Sequence, residues 1–174
     1  DLITYTLYYE AYTINTVSYS FLGDGVGYIY ISEFDNSTLS AFRDAYSTLS
    51  AGDENNPAVS KLIIDVRNNA AGDFDSMIEV ADFIMPATTI CTRRERDSSK
   101  NTLYTSTSDE YTEMDIVILQ NYYTSGASEV FSAAMQDNGL AVVIGETSAG
   151  AGLAQREIPL SNNTAIVLSV YEYI

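Results

Sequence analysis

The sequence predicts an α/β fold with a mostly parallel sheet and βαβ crossovers. Apolar runs typical of buried strands alternate along the chain with segments whose apolar residues recur at helical spacing. The run at residues 62–66 is apolar almost throughout, as expected of a strand covered on both faces. The chain has 174 residues, which is enough for one domain with a packed core.

The amino-terminal part predicts strands followed by a helix. Residues 1–22 alternate in the manner of two short strands, and residues 26–31 form another strand after a Gly-Asp-Gly turn. Asn36 and Ser37 are typical capping residues, and an apolar stripe at helical spacing follows them. The stripe consists of Leu39, Phe42, Ala45, Tyr46 and Leu49.

The middle of the chain adds a strand, a helix and a hairpin. Residues 62–66 form the strand, and the helix after it begins near Phe74 and stops at Pro86. Residues 88–92 and 103–107 predict a pair of strands around a charged stretch. We interpret that stretch as the solvated tip of a hairpin.

The last part of the chain continues the alternation. Residues 115–120 form a buried strand, and small residues at 124–128 open a third helix that closes at 138–139. Residues 141–144 form the next strand, and residues 165–174 are another β-forming run. Strands and helices in this order require crossover connections, so most of the sheet is expected to be parallel.

Composition argues against several classes of site. The chain has no histidine, which excludes a Ser-His-Asp triad, a Cys-His dyad and a histidine-ligated metal. Its one cysteine, Cys91, rules out an internal disulfide and is expected to be a buried inert thiol. The net charge of −16 disfavours binding to nucleic acid or to anionic lipid. No apolar run approaches the length of a membrane span.

Two loops lie where ligands bind in open α/β sheets, beyond the carboxyl ends of strands. Residues 67–72 place small residues next to glycine, and residues 124–129 open a helix with small hydroxylic residues. Together their amides could form an oxyanion hole. Composition alone, however, favours the interpretation that both segments are ordinary strand-to-helix turns without a binding role. Residues 145–152 are rich in glycine but lack the pattern of a phosphate loop, and a tight connection is favoured there.

Several segments occur together in an order that is characteristic of one family. They are residues 25–34, 62–72, 79–82, 124–129 (Thr-Ser-Gly-Ala-Ser-Glu), 136–139 and 145–155 (with Gly-Ala-Gly at 150–152). From about Val17 to Tyr173 the chain resembles the catalytic core of the carboxyl-terminal processing peptidases, or tail-specific proteases. These are serine endopeptidases with a Ser/Lys dyad, and the resemblance implies a Clp protease/crotonase-like core.

The resemblance places both dyad positions, and both carry other residues. Gly126 stands at the position of the nucleophilic serine, two residues before the serine of the Ser-Glu pair. Ala151 stands at the position of the general-base lysine, between two glycines. Gln155 matches the glutamine that assists the lysine in this family.

The resemblance also implies two oxyanion donors. One is the amide of Ala127, and the other is the amide of Gly72 or Ala71. Ala70 and Ala71 depart from the family's usual Pro-Gly, which weakens the assignment of the second donor.

A dyad mechanism needs a hydroxyl and an amine within hydrogen-bond reach of each other, and Gly126 and Ala151 supply neither. Ser125 and Ser128 lie nearby, but the helical rotation of about 100° per residue turns their side chains away from the site. No motif places Lys61 or Lys100 there. We therefore expect a serine endopeptidase core that is inactive as written but retains peptide binding.

Three interpretations of the vacant dyad stay open. The chain is an active enzyme whose dyad was replaced, a natural pseudoprotease that serves as a peptide-binding module, or a carrier of a small apolar ligand. A pocket closed at both ends would favour the carrier, whereas an open groove beside a strand edge would favour peptide binding.

The resemblance sets the remaining expectations. The expected partner is a peptide or the carboxyl terminus of an unfolded protein. The site is expected to need no cofactor and no metal. The resemblance is also compatible with a homo-oligomer. The location is extracytoplasmic in a bacterium. Residues 1–16 are expected to be the end of a preceding PDZ-like domain or a linker strand, and residues 17–174 a fragment containing the core.

Overall fold

The computed structural model describes residues 14–70, 72–107 and 111–174, together with positions 3, 5, 6, 8 and 9. The predicted strand turn near residue 10 lies outside the described residues, and the boundary at residue 16 stays a prediction. In chain order the elements are β1 (Val17–Gly23), β2 (Val26–Ile31), α1 (Thr38–Ala51), β3 (Lys61–Asp65), α2 (Phe74–Ile84), β4 (Thr89–Arg94), a short 3-10 turn (Ser98–Lys100), β5 (Thr102–Thr105), β6 (Asp115–Gln120), α3 (Ala127–Asp137), β7 (Ala141–Gly145), β8 (Leu153–Pro159) and β9 (Ala165–Tyr173).

The main sheet has the strand order β1-β2-β3-β6-β7. Its last four strands are parallel, and β1 joins β2 as an antiparallel hairpin. In the parallel register Ile29 lies beside Ile64, which in turn lies beside Ile118. The α/β class with a mostly parallel sheet and crossover helices is confirmed.

One face of this sheet forms the core with the helices. Ile29, Ile64 and Ile118 are fully buried on it, and Phe34 packs against Phe131 of α3 with ring centroids 5.8 Å apart. Ile63 is only half-buried, so the expectation that residues 62–66 are covered on both faces is wrong within the described part of the chain. The three helices pack on one face, and a continuous apolar strand run does not by itself require cover on the second.

A second, antiparallel sheet has the strand order β5-β4-β9-β8. The predicted hairpin is confirmed as β4 paired with β5, and the predicted run at 165–174 becomes β9. The sequence did not indicate β8, because Arg156, Glu157 and Pro159 interrupt its apolar pattern. β8 pairs with β9 along seven registered positions and is the edge strand of this sheet.

The loops after β3 and β6 meet at the carboxyl edge of the main sheet. The Ser125 amide donates to the Asn69 carbonyl oxygen at 3.0 Å, and the Thr124 hydroxyl donates to the Val66 carbonyl oxygen at 2.9 Å. These bonds fix the starts of α2 and α3 relative to each other, and this is where the candidate site lies. Within the described ranges, no helix is both long and apolar enough to cross a membrane.

Candidate active site

A cleft of about 290 Å³ brings together five of the six residues that the sequence proposed for the site. These five are Gly72, Gly126, Ala127, Ala151 and Gln155. The sixth, Ala71, lies outside the described residues. The cleft lies between the starts of α2 and α3 on one side and β8 and β9 on the other. Residues from distant parts of the sequence thus line the same cleft.

Gly126 occupies a tight turn between β6 and α3. Its backbone angles, φ 66° and ψ −122°, correspond to the first central position of a type II′ turn, which strongly favours glycine. A Cβ placed on Gly126 would meet no atom within 4 Å. A side chain here would therefore project into open space, as the nucleophile of a strand-to-helix turn must.

Two backbone amides are available beside this position. Ala127 is the first residue of α3, and its N–H has no acceptor among the described residues, as is usual in the first helical turn. Gly72 lies in close contact with the Phe34 backbone, and the neighbouring Asp73 amide donates to the Phe34 carbonyl oxygen at 2.7 Å. The Gly72 amide also lacks an acceptor within the described ranges. Both N–H groups can bind a carbonyl oxygen.

The carboxylate of Glu129 connects Gly126 with Ala151. It accepts hydrogen bonds from the amides of Gly126 at 2.9 Å, Gly150 at 2.6 Å and Ala151 at 3.0 Å. The Ala149 amide adds a bond to the Thr124 carbonyl oxygen at 3.0 Å. The loop that carries Ala151 is therefore attached directly to the start of α3.

Gln155 lies on β8 opposite a bulge in β9. The register between β8 and β9 shifts between Ala154 and Gln155, where Val170 of β9 is the extra residue. Because β8 is an edge strand, its outer backbone groups have no neighbouring strand in the described part of the chain. The cleft is thus bordered by a strand edge that can accept an extended peptide.

Aromatic side chains form one wall of the cleft. Phe74 and Tyr173 stack with ring centroids 4.3 Å apart and planes 14° apart. Tyr104 packs edge-on against Phe74, and the Arg93 guanidinium lies 4.7 Å from the ring centroid of Tyr171. Burial, followed by the neighbouring tyrosines, raises the pKa of Tyr173, so its hydroxyl stays protonated at neutral pH.

The described residues that line the cleft include no serine, threonine, cysteine or lysine. Ser128 is fully buried, Lys61 begins β3 at the opposite edge of the sheet, and Lys100 pairs with Asp97. Burial raises the pKa of the Cys91 thiol to about 11, which keeps it un-ionised. Among the described residues, no three acidic, cysteine or histidine side chains cluster as a metal site would require.

Sequence reasoning overlooked the role of Glu129. Its position three residues after Gly126 matches the second half of a capping box, in which a glutamate reaches back to the amide at the start of the helix. That pattern could have indicated the bond to Gly126. The bonds to Gly150 and Ala151 could not be inferred, because they depend on how a distant loop folds back.

A second polar cluster that the sequence did not indicate lies at the end of β3. Asp65 is buried, and it accepts hydrogen bonds from the Arg67 guanidinium and from the Tyr28 hydroxyl at 2.7 Å. Burial alone would raise the pKa of Asp65, but the bonds from Arg67 and Tyr28 outweigh it and lower this pKa. The cluster fixes the strand end from which the 67–72 loop departs.

Most of this chain is similar in sequence to known proteins. Residues 25–174 match the family model described as Peptidase family S41. The chain is 31% identical over 151 residues to a carboxyl-terminal-processing protease of Synechocystis, covering 87% of this chain and 34% of that protein. It is 31% identical over 149 residues to carboxyl-terminal-processing peptidase 2, chloroplastic, of Arabidopsis thaliana, covering 85% of this chain and 28% of that protein.

A solved structure shares both the fold and part of the sequence. The photosystem II D1 C-terminal processing protease superimposes with a TM-score of 0.79 and 26% identity, covering 94% of this chain and 44% of that chain. The chain spans about a third of the length of the curated relatives named above. The family model nevertheless covers most of the present sequence, including both loops of the cleft. The chain belongs to peptidase family S41.

Proposed function

We propose that this chain is a carboxyl-terminal processing peptidase core that binds an extended peptide without cutting it. Gly126 occupies the nucleophile position and Ala151 the general-base position. The proposal rests chiefly on the lining of the cleft, which within the described residues includes no aliphatic hydroxyl, thiol or amine. Peptide hydrolysis by a dyad needs both an attacking group and a base that removes its proton.

Direct attack by water lacks a base as well. Glu129 is the carboxylate nearest to the dyad positions, and three backbone amides donate to it. The described residues that line the cleft include no aspartate or glutamate that could take a proton from water. The amides of Ala127 and Gly72 can still polarise a bound carbonyl, but polarisation alone provides no nucleophile.

The remaining groups suit peptide binding. An extended segment would add to the free edge of β8, with a carbonyl oxygen held by the amides of Ala127 and Gly72. Gln155, which would assist a lysine in an active relative, is free to bind the peptide backbone. The exposure of Gly126, Ala151 and Gln155 favours an open peptide groove over the closed pocket of a small-ligand carrier.

Several properties of the whole protein belong to this proposal. We infer that its partners are the carboxyl-terminal parts of peptides or unfolded proteins, as the names of the relatives suggest. A location outside the bacterial cytoplasm and a homo-oligomeric state stay predictions.

The experiment measures binding and cleavage on the same samples. Labelled unfolded protein and its peptide fragments are incubated with the chain, binding is followed by fluorescence anisotropy, and products are examined by mass spectrometry. We expect binding with the substrate left intact. Cleavage by the unmodified chain, or no binding from a diverse peptide pool, would contradict the proposal.

A matched pair of variants locates the binding site. Ala151→Trp fills the cleft and is expected to weaken binding at least tenfold. Ala51→Trp places the same bulky side chain on the exposed end of α1, away from the cleft, and is expected to leave binding unchanged. Equal effects of both substitutions would show that peptide binds elsewhere.

A further inference from the structure

A groove of about 370 Å³ extends from the cleft along α3. It joins the cleft at Val130, Gly152 and Tyr173, which line both spaces. Its floor is apolar and is formed by Ile90 and Cys91 of β4. The groove is therefore continuous with the peptide site, and one face of a helix forms its side.

The length of the groove follows from helix geometry. Glu129 lies at its cleft end and Asp137 at the opposite end, and both belong to α3. The two residues are about 12 Å apart along the helix axis. An extended peptide covers that distance with about three or four residues.

The charges along the groove have one sign. Among the described residues that line it, the acidic side chains are those of Glu129 and Asp137, and there is neither lysine nor arginine. Glu129 is held by backbone amides, whereas Asp137 is exposed and forms no ion pair among the described residues. The last turn of α3 has no basic residue, so the negative end of the helix dipole adds to the Asp137 charge.

These observations determine which peptide the groove can accept. We infer that the α3 groove selects a segment with an apolar side chain near the cleft and a lysine or arginine about three residues away, whose cation meets Asp137. A long basic side chain places its apolar stem on an apolar floor and its charge in water beside a carboxylate. The net charge of −16 also attracts a basic partner over longer distances.

The acidic side chains of the groove also indicate where the carboxyl terminus of a bound peptide lies. A terminal carboxylate in the groove would face Asp137 and find no cation to compensate it. The carboxyl terminus of a bound peptide therefore lies beyond the groove, and the groove reads an internal segment. This inference rests on the proposed peptide binding and adds a charge preference to it.

The test compares peptides that differ at one residue. Short synthetic peptides of Ala, Ser and Thr carry one Leu and, about three residues away on either side, Lys, norleucine or Glu. Affinities are measured by fluorescence anisotropy at low ionic strength. We expect the Lys peptide to bind about fivefold more tightly than the norleucine peptide, and the Glu peptide to bind most weakly.

Two variants separate Asp137 from general charge effects. Asp137→Asn is expected to abolish the preference for Lys, and Asp44→Asn, an equal charge change on the exposed face of α1, is expected to retain it. Equal affinities for Lys and norleucine with measurable binding of both, or a preference that persists in Asp137→Asn, would overturn the inference while leaving peptide binding intact. Absence of binding by every peptide would overturn peptide binding itself.

Discussion

Gly72 and Gly126 both have positive φ angles, 127° and 66°, but their surroundings differ. A Cβ at Gly72 would lie 2.6 Å from the backbone nitrogen of Phe34, whereas a Cβ at Gly126 would contact nothing within 4 Å. Packing therefore requires glycine at position 72. At position 126 only the backbone conformation favours it, so this turn can carry a side chain at the cost of strain.

The two glycines form a matched pair for a stability measurement. Gly72→Ala combines backbone strain with a backbone clash and is expected to lower the free energy of unfolding by about 4 kcal/mol or more. Gly126→Ala introduces strain alone and is expected to cost about 1–3 kcal/mol. Urea unfolding measures both. Similar losses in the two variants would contradict the difference in packing between positions 72 and 126.

At the scale of elements, the end of β3 depends on the charge of Asp65. Because the pKa of Asp65 is lowered in the folded chain, its carboxylate stabilises the fold above the unfolded pKa of about 3.9. That contribution is lost as the pH falls through the lowered folded pKa. The buried Asp65 also orients Arg67 and therefore the loop that leads to Gly72.

Asp65→Asn tests this cluster. At pH 7 the substitution is expected to lower the free energy of unfolding by about 2–3 kcal/mol, because hydrogen bonds to a buried charge are lost. The difference from the unmodified chain should shrink as the pH falls below about 4. Chemical unfolding at several pH values measures it, with the exposed Asp44→Asn as the control. A difference independent of pH would contradict a charged Asp65 in the folded chain.

The helices and strands also show which parts of the structure can be predicted from patterns in the sequence. Helical spacing of apolar residues and small residues after strands predicted the α/β order and both loops of the cleft. The strand β8 was not predicted, because its side chains are mostly exposed and no apolar pattern is needed there. The bonds from the Gly150 and Ala151 amides to Glu129 and the stacking of Phe74 on Tyr173 join distant segments, and local patterns contain no information on such contacts.

At the scale of the whole molecule, one cleft brings together five positions that the family resemblance assigned to the site. Glu129 holds the loops of Gly126 and Ala151 together, and the amides of Ala127 and Gly72 border the same cleft. The positions assigned by resemblance are thus neighbours in space. If the assignment is correct, side chains restored at positions 126 and 151 will face each other.

The most direct measurement is the crystal structure of the Gly126→Ser/Ala151→Lys double variant. The distance between the introduced hydroxyl oxygen and the introduced amine nitrogen is the quantity of interest. We predict a separation within about 4 Å, close enough for a hydrogen bond to form as substrate binds. A folded double variant in which the two groups point apart, with more than about 6 Å between them, would contradict the assignment of Gly126 and Ala151 as the vacant dyad.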